Sequence, residues 1–259
     1  MSRALLAGQS GWGKSWLAQQ YAEENYESHD RVVLWDYKDE YRGFIKSGFS
    51  SWVGLSDTEL LSVDGWKRML ETNKSLVVAR AVDDEAWREQ LANFAAAARS
   101  INKSVLLLID EAHFLAPQRF GYPDDIRGLA TTGRGERVTS LWVTQRLSEL
   151  DETVIAQADI RILGGFTSDS DLAKIGRTVD YNEEVHNPLV NNVTVPSEID
   201  RNGKPVTRFV DDGGSLTGSE WIYSTTDGDR RRVNSGNLTM QSTHYSPEGN
   251  ELKPLGADS

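Results

Sequence analysis

Gly8-Gln9-Ser10-Gly11-Trp12-Gly13-Lys14-Ser15 is the stretch on which the fold of this chain turns. It fits G-x-x-x-x-G-K-[ST] without a mismatch. The apolar run Ala4-Leu5-Leu6-Ala7 precedes it, and a helical stretch over 14–24 follows. A strand, a glycine-rich turn and a helix, in that order, are what phosphate binding needs. Glycines let the backbone come close, successive N–H groups wrap a phosphate, and the helix N-terminus adds positive potential. The pattern assigns Gly8, Gln9, Ser10, Gly11, Trp12, Gly13, Lys14, Ser15 and the following Trp16 to nucleotide binding. Lys14 is expected to reach the β- and γ-phosphates and Ser15 to ligate Mg2+.

A second motif lies downstream. Leu106-Leu107-Leu108-Ile109-Asp110-Glu111 sets two carboxylates at the end of an apolar strand, and the C-terminal ends of parallel strands are where open α/β sheets bind ligands. Asp110 is expected to hold Mg2+ and Glu111 to polarise the attacking water. Gln145, after Leu141-Trp142-Val143-Thr144, is placed to sense the γ-phosphate or orient water. These residues together point to an ATP- and Mg2+-dependent NTP hydrolase.

Further strands are expected over 31–36, 75–81, 105–109, 140–144 and 160–166, with helices over 57–71 and 83–101. In the last of these, Trp87, Leu91, Phe94, Ala98 and Ile101 form one apolar stripe. Strands apolar on both faces and separated by helices imply a mostly parallel sheet with covering helices. From about 178 the pattern turns β-rich. Trp221-Ile222-Tyr223, Thr226-Asp227-Gly228-Asp229 and Arg230-Arg231-Arg232-Val233 read as a hairpin around an Asp-Gly turn. The expected division is an α/β ATPase core over 1–177, a β-rich extension over 178–235 that completes it, and a flexible polar tail over 236–259.

The 259 residues carry 39 Asp plus Glu against 28 Lys plus Arg, with nine lysines and no cysteine. Disulfides, zinc-thiolate sites and a cysteine nucleophile are excluded. A net charge of -11 argues against a generic DNA-coating role, though not against a few basic groups in a channel. The acid-rich, lysine-poor balance resembles proteins of high-salt cytoplasm. There is no run of 18 apolar residues to span a membrane, and no secretory signal is visible. A cytoplasmic site is the expectation.

The chain resembles the FtsK/HerA branch of P-loop motor ATPases. Four stretches carry the likeness: the phosphate loop; Asp36-Tyr37-Lys38-Asp39-Glu40-Tyr41, similar to D-x-K-x-E-Y; Asp110-Glu111-Ala112-His113-Phe114; and Gly133-Arg134-Gly135 ahead of Thr144-Gln145-Arg146 and Thr153-Val154-Ile155-Ala156-Gln157-Ala158-Asp159. They span roughly residues 3–176. Leu147 stands where the family often has proline. The resemblance implies a RecA-like core and a homo-oligomeric, hexameric ring that pumps double-stranded DNA. The chain is nearly all motor, which resembles the small genome-packaging ATPases of membrane-containing icosahedral viruses, some of them haloarchaeal. Capsid-vertex or membrane proteins are then further partners, and host cytoplasm and virion the expected locations. A nucleotide-switched assembly or membrane-associated ATPase that moves no DNA is the alternative. Asp-Glu-Ala-His also spells a helicase signature, but such helicases need two tandem motor domains and this chain has one phosphate loop.

The resemblance places Arg134 against the neighbouring subunit's nucleotide, in trans, with Arg137 as runner-up; Arg146 is expected at the γ-phosphate or as a brace. For DNA, the candidates are Pro117-Gln118-Arg119-Phe120-Gly121-Tyr122 and the triple-basic run at 230–232.

Overall fold

The protein is described here from a computed structural model, covering residues 2–58, 60–132, 135 and 137–245. β1 (Arg3–Ala7) leads through the phosphate loop into α1 (Lys14–Glu24). Then come β2 (Arg31–Asp36), α2 (Arg42–Lys46), β3 (Ser51–Ser56), α3 (Val63–Thr72), β4 (Ser75–Ala81) and α4 (Asp84–Ser100). The second half of the core holds β5 (Val105–Ile109), α5 (Asp124–Thr131), β6 (Val138–Thr144), α6 (Glu152–Ala156), β7 (Ile160–Leu163) and α7 (Asp169–Gly176). β8 (Arg208–Val210), β9 (Leu216–Thr225) and β10 (Arg230–Asn234) close the chain's regular structure.

One sheet runs through the molecule in the order β10-β9-β7-β1-β6-β5-β2-β4-β3, with β8 paired to β9. β1 to β7 are mutually parallel, and β9 joins β7 antiparallel. The β-rich extension therefore continues the main sheet. Strand periodicity divides the core into two layers. On β2, Val33 and Trp35 face one layer while Val32 and Leu34 face the other; on β5, Leu107 and Ile109 oppose Leu106 and Leu108. The first layer is dominated by Trp35, Trp66, Trp87 and Phe94, with Trp35 and Trp87 ring centres 4.7 Å apart. The second holds Trp12, Phe44 and Trp221.

The helix expected over 83–101 is α4, capped by Asp83, whose carboxylate accepts from the Ala86 N–H at 2.8 Å. The helix expected over 57–71 begins only at Val63, where the Ser62 hydroxyl caps it. Ahead of it Ser51–Ser56 forms β3 at the sheet edge. Its pattern is weak because an edge strand buries little; Trp52 stays 58% exposed.

The polar segment expected to be flexible from 236 is held over 236–245. Gln19 donates to the Ser242 hydroxyl at 2.8 Å, and the His244 ring meets Gln19 Oε1 at 2.9 Å. The Glu23 carboxylate accepts from Ser242 N–H and Oγ–H. Gly43 permits this strap, since a Cβ there would lie 1.4 Å from the Thr243 carbonyl oxygen. Short polar side chains that look like tail in the sequence are here the hydrogen-bond partners of α1. No helix among the described residues is long and apolar enough to cross a membrane.

Candidate active site

Lys14, Ser15, Asp110, Glu111 and Gln145 all lie at the C-terminal edge of the parallel strands. β6 lies between β1 and β5, so its end, Thr144-Gln145, falls between the phosphate loop and Asp110-Glu111. The Gly8 N–H donates to the Thr144 carbonyl at 3.3 Å and the Gln9 N–H to the Gly165 carbonyl at 2.9 Å. The loop then turns through Gly11 and Gly13, at φ 72° and 83°. α1 starts at Lys14 with its first-turn N–H groups facing the loop, as a helix start must.

Lys14 Nζ donates to the Gln9 carbonyl at 3.2 Å. Burial lowers its pKa, while Glu111 and Asp110 pull in the opposite direction. The Ser15 hydroxyl donates to the Glu40 carboxylate. Asp110 is 4% exposed and its Oδ2 has no hydrogen-bond partner. Burial, then Glu111 and Glu40, push its pKa well up. An orphaned carboxylate oxygen among acids, one of which holds the Ser15 hydroxyl, fits a divalent cation, whose charge would relieve the repulsion. Ser15 and Asp110 are the residues that would hold Mg2+, with Glu40 behind Ser15.

Glu111 is 3% exposed and held in left-handed backbone, φ 45° and ψ 47°. Lys38 forms an ion pair with it. His113 Nδ1 lies 3.4 Å from its other oxygen and 3.0 Å from the Thr144 hydroxyl, which also accepts from the Arg146 N–H at 3.1 Å. Burial lowers the His113 pKa, so the ring is neutral at physiological pH. His113 thus bridges Glu111 to the end of β6 beside Gln145. Asp36 is fully buried, accepts from the Glu40 and Tyr41 N–H groups at 3.0 Å each, and has its pKa pushed up to about 7 by burial. It shapes the turn that presents Lys38 and Glu40.

The structure also places the side chains of several other expected residues. Trp12 is 1% exposed and its indole is core, not ligand surface. It lies on Gly164 and Gly165, where a Cβ would come within 2.4 and 2.2 Å of the ring, and its Nε1 donates to the Glu220 carbonyl at 3.1 Å. Only its backbone is available to a nucleotide. Trp16 is half-buried against the same layer. Leu147 is buried and opens a 3-10 turn, so a leucine serves at that corner. Arg146 pairs with Glu149 at 2.9 Å.

The arginines at 230–232 are not a free basic run. Arg230 pairs with Asp180, Arg231 stacks over Tyr223 at 4.2 Å, and Arg232 pairs with the buried Glu220 and donates to the Lys204 and Ile199 carbonyls. In the other DNA candidate, Arg119 and Phe120 are exposed, Phe120 by 75%. Arg134 lies outside the described residues. Arg137 does not: it is exposed, and its carbonyl accepts from the Val105 N–H at the edge of the sheet opposite the phosphate loop. β6 has seven residues, so this edge is roughly 23 Å from the chain's own phosphate site. Sequence reasoning missed Lys38 and Glu40 as site residues, though both stand in the D-x-K-x-E-Y stretch.

No protein-family model matches the chain, and no curated protein matches it in sequence. Solved structures do match. The genome packaging NTPase B204 from Sulfolobus turreted icosahedral virus 2, in complex with ATP-gammaS, superposes with a TM-score of 0.61 at 15% identity, over 89% of this chain and 96% of that one. The DNA-packaging ATPase B204 from Sulfolobus Turreted Icosahedral Virus gives 0.59 at 16% identity with the same coverage. VirB4 of Thermoanaerobacter pseudethanolicus gives 0.59 at 13%, over 89% and 88%. The likeness covers most of both chains. This chain has the P-loop NTPase fold that these proteins share.

Proposed function

We propose that the chain is an ATP-hydrolysing ring motor of FtsK/HerA type that translocates double-stranded DNA, with viral genome packaging as its task. The observation that carries the reading is the buried Asp110-Glu111 pair, set across β6 from the phosphate loop, in a chain similar over nearly its whole length to a packaging NTPase. Backbone N–H groups of the loop and Lys14 hold the phosphates. Mg2+, held by Ser15 and Asp110, would neutralise phosphate charge. Glu111 takes the proton from water as the water attacks the γ-phosphorus and ADP leaves, and Gln145 orients that water.

An arginine finger is the part this subunit cannot give itself. The resemblance to FtsK/HerA motors supports Arg134 as a finger acting on a neighbour's nucleotide within a homo-oligomeric ring. Arg137 is the second candidate. Arg119 and Phe120 are the groups offered to DNA. The acid-rich, lysine-poor composition supports a host with salt-rich cytoplasm; the expected signature is a melting temperature that rises from low to molar KCl.

Steady-state hydrolysis with and without duplex DNA tests the motor reading. Duplex should raise the rate several-fold. Magnesium-dependent hydrolysis indifferent to DNA would instead support a nucleotide-switched assembly ATPase.

A further inference from the structure

The residues proposed for hydrolysis occupy one end of the nucleotide site. Lys14, Glu111, Lys38 and Gln145 define where the terminal phosphate and water sit. A nucleoside must leave from the other end of the loop, past Gly11 and Gly13. The β8–β9 hairpin covers that end, although it is almost 200 residues away in sequence. Arg208 donates from its guanidinium to the Gly11 carbonyl at 3.2 Å and lies over the Trp12 ring at 5.7 Å. Leu216 Cδ2 would be 3.2 Å from a Cβ on Gly13. The Ser219 hydroxyl donates to the Trp12 carbonyl at 2.7 Å and fixes the hairpin to the loop.

This wall presents an unusual surface. Arg208 is exposed, Leu216 is 38% exposed, and Val210, its cross-strand partner, is 57% exposed. Two open apolar side chains and a planar cation stand beside a nest built for phosphate. Arginine stacks on aromatic faces, and apolar side chains take the rest of a flat ring. Neither group reads the hydrogen-bonding edge of a base.

We infer that Arg208 and Leu216, supplied by the C-terminal extension, form the nucleoside-binding wall of the site and take the face of a purine base, with Val210 extending the apolar surface. The inference rests on the phosphate loop binding a nucleoside triphosphate. It assigns the β-rich extension a direct part in substrate binding, beyond completing the sheet. The hairpin is anchored to the loop by Arg208 and Ser219, so base and phosphates are gripped by one connected unit.

Two ligands separate the ends of the site: ATP, which has a nucleoside, and inorganic tripolyphosphate, which has none. Binding of each with Mg2+ is measured by calorimetry on the full chain. Arg208→Ala and Leu216→Ser change exposed side chains, and Leu216→Ser disturbs no hydrogen bond. At least one of them is expected to weaken ATP about three- to tenfold while leaving tripolyphosphate within about twofold. If neither variant weakens ATP selectively, whether through equal losses for the two ligands or through no loss, the wall is overturned. Lys14→Ala keeps the underlying reading separate: it should weaken both ligands together, and unchanged binding of both in that variant would remove the phosphate-loop reading itself.

Discussion

Lys38 holds Glu111. The ammonium just past β2 pairs with the carboxylate that follows β5, a carboxylate 3% exposed whose other oxygen lies 3.4 Å from His113. The two strands are neighbours in the sheet, so the pairing is fixed by register. In the proposed mechanism Lys38 is a positioning residue, setting where the Glu111 oxygen stands that would activate water. Lys38→Met should lower turnover by about tenfold to a hundredfold, the range expected when a reacting group drifts by around 1 Å. ATP affinity should change by only a few-fold, and Lys38→Arg should recover part of the rate. Single-turnover hydrolysis beside equilibrium binding makes the distinction; equal losses in rate and affinity would mean that Lys38 binds phosphate instead.

Glu111 and Asp110 are adjacent but separable. Glu111→Gln should bind ATP and lose hydrolysis by about 10²- to 10⁴-fold. Asp110→Asn should weaken magnesium-dependent ATP binding, because its orphaned oxygen is the one suited to the cation. Turnover that survives in Glu111→Gln and dies with intact binding in Asp110→Asn would reverse the two roles.

The phosphate loop, α1, β2, β5 and the Asp-Glu pair were legible in the sequence because each is a continuous local pattern. The Lys38–Glu111 pair was not. Its partners are 73 residues apart, and only the sheet order brings them together. The burial of the Trp12 indole was hidden for a related reason. Its position within the motif says nothing of its side chain, which packs on Gly164 and Gly165 and donates to the Glu220 carbonyl. Likewise, Arg230, Arg231 and Arg232 look like a basic patch until the fold supplies Asp180, Tyr223 and Glu220. The strap over 236–245 has no apolar periodicity, since it is held by polar contacts with α1.

That strap should make stability depend on pH. Burial lowers the His244 pKa to about 4, below the unfolded value of about 6.5. Its contribution is therefore complete above about pH 6.5 and is lost as pH falls towards 4, by about 3 kcal/mol at the limit. Burial also lowers His186 to about 4, and it acts in the same direction. Asp36, raised to about 7, opposes them, favouring the fold as it gains its proton between about pH 7 and 4. Comparing His244→Gln with the parent cancels both. Urea midpoints should fall less steeply from pH 7 to pH 4 in the variant; parallel curves would show that the strap does not depend on a neutral imidazole.

The arginine finger is tested by mixing. Arg134→Ala rings should bind ATP and lose hydrolysis by about 10³- to 10⁵-fold. Co-expressed with Lys14→Ala subunits, they should regain partial hydrolysis at interfaces that join an intact loop to an intact arginine. Full activity of Arg134→Ala alone would reject its role, and the same pair of experiments on Arg137→Ala decides whether the runner-up holds it.

The motor claim is tested most directly by displacement of a triplex-forming oligonucleotide from linear duplex DNA. The native protein with ATP and Mg2+ should strip the third strand at a rate that follows ATP hydrolysis, while Glu111→Gln binds ATP and leaves the triplex intact. A native protein that hydrolyses ATP on duplex DNA yet never displaces the third strand would contradict translocation.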